Sequence, residues 1–146
     1  MALHKNYING EWVEGKGVRE NINPSDLTDV VGEYAQADVG QTEAAIAAAK
    51  AAQPGWAAST PQAKADALEA IGVELLARKD EIGRLLSREE GKPRANGIAE
   101  TMRAAQIFKF FAQEALRVEG VAITSVRPGV DVMLTREPLG VVGLIC

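Results

Sequence analysis

The apolar positions change period three times along the chain, and each change predicts a different element. Tyr7, Ile8, Trp12 and Val13 flank Asn9-Gly10, and Asn-Gly supplies the positive φ angles of a tight hairpin turn. The stretch ENINPSDLTDVVGEYAQA (20–37) predicts an extended piece, a turn at Pro24-Ser25-Asp26 and a strand from Val30 to Ala35. The period then becomes helical. Asp38 reads as an N-cap with Gln41 completing a capping box, and Val39, Thr42, Ile46 and Ala49 share a face. This alanine-rich helix is expected to end near Pro54-Gly55, with Trp56 plugging it against the next helix. Thr60-Pro61 opens that next helix with a capping hydroxyl and a proline at the first helical position. Leu68, Ile71, Leu75 and Leu76 mark its expected buried stripe. Asp80 is a possible second cap, and Ile82, Leu85 and Leu86 carry the helix on to a stop at Gly91 and Pro93. A third helix is expected from about Ala95 to Arg117, with Ile98, Met102, Ala105, Phe108, Ala112 and Leu116 on its buried face.

Beyond Gly120 the period falls to two. Val130, Val132 and Leu134 alternate with Asp131, Met133 and Thr135, as in a strand with one wet face. Val141, Val142, Leu144 and Ile145 do not alternate, which predicts a short strand buried on both faces in a parallel sheet. Such a strand needs partners and none follow it, so the fold reads as incomplete.

Composition narrows the classes. The chain has 146 residues, 47% hydrophobic and 25% charged, which describes a globular chain with a core. A formal charge of -4 argues against nucleic acid as a partner. The opening MALHKNYINGEW lacks the apolar run of a signal peptide. No stretch reaches the roughly 20 apolar residues of a membrane helix. A cytoplasmic location without membrane partners is therefore expected. His4 and Cys146, the single histidine and single cysteine, lie at opposite ends, which speaks against a zinc site or a Cys/His nucleophile pair.

Five blocks in register carry a resemblance: YINGEW (7–12), NPSD (23–26), AAIAAAKAAQPGWA (44–57), EEGKP (89–93) and REPLGVVGLI (136–145). Together they resemble the first third of an NAD(P)-dependent aldehyde dehydrogenase. The resemblance implies an α/β fold, seen here as its amino-terminal part. Residues 1–119 would be the start of the cofactor-binding domain, with a hairpin and helices. Residues 120–137 would be an oligomerisation arm, and 138–146 the first strand of the Rossmann-like cofactor-binding sheet. The attribution is expected to fail if that last strand faces solvent.

The implied reaction is aldehyde plus NAD or NADP plus water giving the acid and the reduced cofactor. A cysteine thiolate attacks the carbonyl, preorganised donors hold the oxyanion, hydride leaves, and a glutamate-activated water hydrolyses the thioester. In this family those groups lie beyond the point matching Cys146, so no catalytic residue is expected here. Cys146 is expected to be a small apolar residue rather than the nucleophile. Ile145 and Cys146 are expected to touch the cofactor through their backbone. No G-x-G-x-x-G occurs, so NAD or NADP comes from the resemblance alone.

Three further expectations concern sites. Arg103 and Phe110 fall on one side of the third helix, away from its core stripe. In similar enzymes this helix borders the substrate tunnel, and an arginine there suits a carboxylate-bearing aldehyde. The alternative is an i,i+3 pair between Glu100 and Arg103 on a solvated face. Ile22 and Glu89 match positions that hold a monovalent cation in several relatives, the alternative being a solvated acid at a helix end. Val130–Thr135 matches the family's oligomerisation arm, which implies a homodimer or homotetramer. The motif flavour is most like α-ketoglutarate semialdehyde dehydrogenases, with succinate semialdehyde dehydrogenases next. The competing function is a non-catalytic remnant or interaction module, the reading to prefer if the polypeptide stops at Cys146.

Overall fold

The computed structural model describes residues 3–145. Three short strands open it: β1 (Leu3–His4), β2 (Asn6–Ile8) and β3 (Glu11–Val13). β2 and β3 form the expected hairpin, with Asn9 at φ 53° and Gly10 at φ 83°. Tyr7 faces Trp12 across it, ring centroids 4.9 Å apart.

β4 (Gly17–Ile22) and β5 (Val30–Gln36) pair antiparallel, and β1 adds to β5 in parallel, giving the order β1-β5-β4. The parallel pairing of β1 was not legible in the sequence, because two residues carry no period. The Asn23–Asp29 turn closes on itself: Asn23 Oδ1 accepts from the Ser25 amide and Asp26 Oδ1 from the Thr28 amide.

Four helices follow rather than three: α1 (Val39–Ala57), α2 (Pro61–Ala77), α3 (Lys79–Glu90) and α4 (Arg94–Glu114). Asp38 caps α1 through Oδ1 on the Gln41 amide at 2.8 Å, but the capping box is only half made. The Gln41 side chain turns instead to the Glu14 carbonyl and the Asn6 amide, fastening the helix to the hairpin region. α1 does not end at Pro54. A proline so near the terminus forfeits a single backbone bond, and the helix continues to Ala57, with the Ala58 amide bonded to the Pro54 carbonyl. Trp56 plugs nothing; it is more than half exposed.

Thr60 and Pro61 start α2 as expected, with Thr60 Oγ1 accepting from the Ala63 amide at 3.1 Å. The long second helix breaks at Arg78 (φ -104°, ψ 16°), whose guanidinium grips Glu81 through two bonds of 2.9 and 2.7 Å. Asp80 and Glu81 then sit in the first turn of α3, where the helix dipole favours acids. Gly91 ends α3 in the left-handed conformation (φ 72°).

The packing corrects the expected core. Large side chains such as Ile71, Leu85, Met102 and Leu116 are exposed, while Leu68, Leu75 and Phe108 are only half-covered. The helix residues sealed from solvent are small: Ala65 and Gly72 on α2, Gly83 on α3, and Gly97, Thr101, Ala105 and Ala112 on α4. α4 packs against α2 and α3 through these positions because small side chains let two backbones approach closely. At the α3/α4 crossing a Cβ on Gly83 would lie 2.6 Å from Ile98 Cα, so only hydrogen fits.

Past a short 3-10 turn at Ala115–Arg117, β6 (Val121–Thr124) and β7 (Asp131–Leu134) form a two-stranded antiparallel ribbon. The expected strand over 141–145 does not form. Residues 135–145 have no regular structure, and Val142, Leu144 and Ile145 are 59%, 83% and 101% exposed. An all-apolar run becomes a central strand only when neighbours on both sides take its amides and carbonyls, and among the described residues no strand lies beside it. Among the described residues no helix is long and apolar enough to cross a membrane.

Candidate functional site

Two clefts collect the residues singled out above. The first, about 500 Å³, opens at β4 and the end of α3 and is lined by residues including Arg19, Asn21, Ile22, Tyr34 and Glu89. Ile22 and Glu89 therefore share a cleft. The Glu89 carboxylate is bound there by Asn21 Nδ2 at 2.9 Å, so it is neither free nor simply solvated. Among the described residues no three acidic, histidine or cysteine side chains converge as a metal cage would require.

An ion pair that sequence reasoning missed joins α3 to the turn before β5. Arg88 on α3 forks onto Asp29, just before β5, with Nη2–Oδ1 at 2.6 Å and Nε–Oδ2 at 2.9 Å. Asn23 Nδ2 adds a third donor at 3.1 Å. The Ser25 hydroxyl donates to the Gly91 carbonyl, so turn and helix end are latched twice. The partners are 59 residues apart, a separation that no local pattern announces. The Arg88 bonds, then the Asn23 bond, hold the Asp29 carboxyl at about 2, below its usual range. A depressed acid stabilises the fold above its unfolded pKa of roughly 3.9 and loses that contribution as pH falls toward 2. The stability advantage of the wild type over Asp29→Asn is expected to be full at pH 6 and to shrink between pH 4 and 2. Urea denaturation of both proteins at pH 6 and pH 3 checks this; an advantage independent of pH would refute it.

The second cleft, about 510 Å³, lies on the face of α4 opposite α2 and α3 and is lined by Arg103, Gln106, Ile107, Phe110 and Phe111. Arg103 and Phe110 line this one cleft. The Glu100–Arg103 pair is not made, because Glu100 accepts from Lys92 Nζ at 2.7 Å. Glu114, the other acid of this helix, pairs with Arg117 at 3.0 Å. Arg103 thus keeps its guanidinium free of acidic partners among the described residues, beside an edge-to-face pair of Phe110 and Phe111 with centroids 5.3 Å apart. The cleft combines apolar walls with a permanent cation and an amide, an arrangement suited to a small ligand with an anionic end. Ile145 stands far out in solvent and lines neither cleft, and Cys146 lies outside the described residues.

The chain belongs to the aldehyde dehydrogenase family, whose sequence pattern it matches over residues 12–146. It is 35% identical over 143 residues to the α-ketoglutarate semialdehyde dehydrogenase of Haloferax volcanii, covering 97% of this chain and 30% of that protein. It is 40% identical over 144 residues to the vanillin dehydrogenase of Corynebacterium glutamicum, covering 97% and 29%. The fold superimposes on the betaine aldehyde dehydrogenase of Staphylococcus aureus in complex with NAD+ with a TM-score of 0.87 at 27% identity, covering 92% and 28%. The chain thus spans about 30% of the length of the relatives it matches. The match runs through the solvent-facing segment 141–145, so exposure there does not unseat the family. Exposure reports which strands stand beside that segment, and the family is carried by the pattern of the whole chain.

Proposed function

We propose that this chain forms the amino-terminal part of an enzyme that oxidises an aldehyde bearing a carboxylate to the corresponding acid, with NAD or NADP as hydride acceptor. The aldehyde chemistry follows from the family. The carboxylate reading is supported by one observation, an Arg103 guanidinium with no acidic partner among the described residues, set among Ile107, Phe110 and Phe111. A planar fork of N–H donors binds a carboxylate in two parallel bonds. The α-ketoglutarate semialdehyde relative supports an acidic substrate, and the NAD+ bound by the betaine aldehyde dehydrogenase supports the cofactor. Thiolate, base and oxyanion donors belong, by the same resemblance, to the part of the family's length that this chain does not span.

The β6–β7 ribbon supports self-association into a homodimer or homotetramer. Val121, Ile123, Met133 and Leu134 are exposed on it, and its strands bond only to each other among the described residues. The full-length protein that carries this segment is expected to reduce NAD or NADP, read at 340 nm, faster with semialdehyde acids than with neutral aldehydes of equal length, and to elute as a dimer or tetramer. Equal turnover of both classes would remove the carboxylate from the reading, and a stable monomer would remove the arm.

A further inference from the structure

Asn9 and Gly10, at the tip of the β2–β3 hairpin, are both exposed, and no atom lies within 4 Å of the place a Cβ on Gly10 would take. We propose that this tip is a self-modification site: the Gly10 amide attacks the Asn9 side chain, and the isoaspartyl link that results opens the hairpin.

The chemistry is intramolecular. The Gly10 backbone nitrogen bonds to Asn9 Cγ, the Cγ–Nδ2 bond breaks, and Nδ2 leaves as ammonia carrying the Gly10 amide proton. Water then opens the cyclic imide. Breaking its N–Cγ bond gives aspartate. Breaking the bond from N to the Asn9 main-chain carbonyl carbon leaves the chain running through Cγ, which is isoaspartate. The attacking residue must be small, because a side chain on it crowds the approach. The chain has five asparagines. Tyr7 and Ile22 follow two of them, and Pro24, after Asn23, has no N–H to give up. Asn9 and Asn96 alone precede glycine. The fold separates these two. Gly97 is buried, its amide donates to the Pro93 carbonyl at 3.3 Å, and it is wedged against the Gly83 carbonyl. Attack there requires the start of α4 to unwind and the α3/α4 crossing to part. No acceptor holds the Gly10 amide among the described residues. The folded tip keeps Asn9 in the left-handed region, and the attack runs through an opened turn. Opening costs little, because the hairpin has three residue pairs and bonds to no third strand among the described residues. Isoaspartate adds one main-chain carbon to a two-residue turn whose length sets the Ile8–Glu11 and Tyr7–Trp12 pairing, so the product does not close in register.

The test holds the full-length protein that carries this segment in mildly alkaline buffer for weeks and samples it by peptide mass spectrometry. The peptide with Asn9 is expected to gain the mass of an amide-to-acid change and to split into aspartyl and isoaspartyl forms. It is expected to do so more than about tenfold faster than the peptide with Asn96. Opening free energies run from near zero at loop tips to the global value in packed helices, and tenfold needs a difference of only about 1.4 kcal/mol. In concentrated urea the two rates are expected to converge, which assigns the difference to the fold. Hydrogen exchange over residues 6–13 is expected to quicken in the isoaspartyl form. It should stay as in fresh protein in Asn9→Asp, which carries the acid without the extra carbon and keeps a residue pair suited to the turn. Conversion at Asn9 as slow as at Asn96 in the folded protein would overturn the site, as would a difference that persists in urea. Unchanged exchange in the isoaspartyl form would overturn the opening of the hairpin.

Discussion

Gly97→Ala is expected to destabilise the protein by about 1–3 kcal/mol, and Gly97→Val by more, although both add a side chain to a helix. The added Cβ would press on the Gly83 carbonyl oxygen and the Ser87 hydroxyl, closer than van der Waals contact allows. Neither can retreat cheaply. Gly83 is backbone, with its own hydrogen atom facing Ile98 Cα, and the Ser87 hydroxyl is bonded to the Gly83 carbonyl at 2.9 Å. The intrinsic helical gain of alanine over glycine, roughly 1 kcal/mol, is too small to offset this overpacking. Gly55 on α1 is the control. Nothing lies within 4 Å of its would-be Cβ, so Gly55→Ala is expected to be neutral or stabilising by up to about 1 kcal/mol. Urea denaturation followed by circular dichroism compares the three proteins. A Gly97→Ala variant as stable as Gly55→Ala would show that α3 and α4 are not in the close contact described.

Arg103→Ala is expected to lower kcat/KM for carboxylate-bearing aldehydes by roughly 10- to 100-fold and to leave neutral aldehydes nearly unchanged. A hydrogen bond to a charged group contributes about 1.5–3 kcal/mol, which sets that range. The loss should fall mainly on KM, since the guanidinium holds the far end of the substrate equally in ground and transition states. Arg103→Lys is expected to recover only part, because an ammonium keeps the charge and loses the planar fork. Folding is not at stake, since Arg103 is exposed on the α4 face opposite the buried alanines. An equal loss for acidic and neutral aldehydes would mean that Arg103 shapes the cleft without binding the carboxylate.

The small-residue crossing and the Asp29–Arg88 latch show where legibility ended. Periodicity locates apolar faces, and it placed α4 close to its observed span while running α2 and α3 together. It weights large side chains, so beside Ala105 and Ala112, which are buried, it nominated Leu, Ile, Met and Phe for a core that glycine, alanine and threonine occupy. A signal was available in Gly83 and Gly97, two glycines within helical stretches, where glycine is costly unless a close approach requires it. Asp29 and Arg88 gave none, because each is an ordinary polar residue until the fold sets them side by side. Arg103 and Phe110 were legible together because both lie on one helix, where angular position follows from sequence separation alone.

What the residues determined by themselves is local: the Asn9-Gly10 hairpin, the Asp38 and Thr60 caps, the Gly91 stop, and the family pattern from Trp12 onward. Each depends on the conformational or hydrogen-bonding preferences of a few neighbouring residues. The tertiary structure decided the rest: which side chains were sealed, that Glu100 turns to Lys92 and leaves Arg103 with no acidic partner among the described residues, and that Val141–Ile145 pairs with no strand among them. Burial, ion pairing and strand formation each need a partner distant in sequence, and a residue carries no record of who will stand beside it.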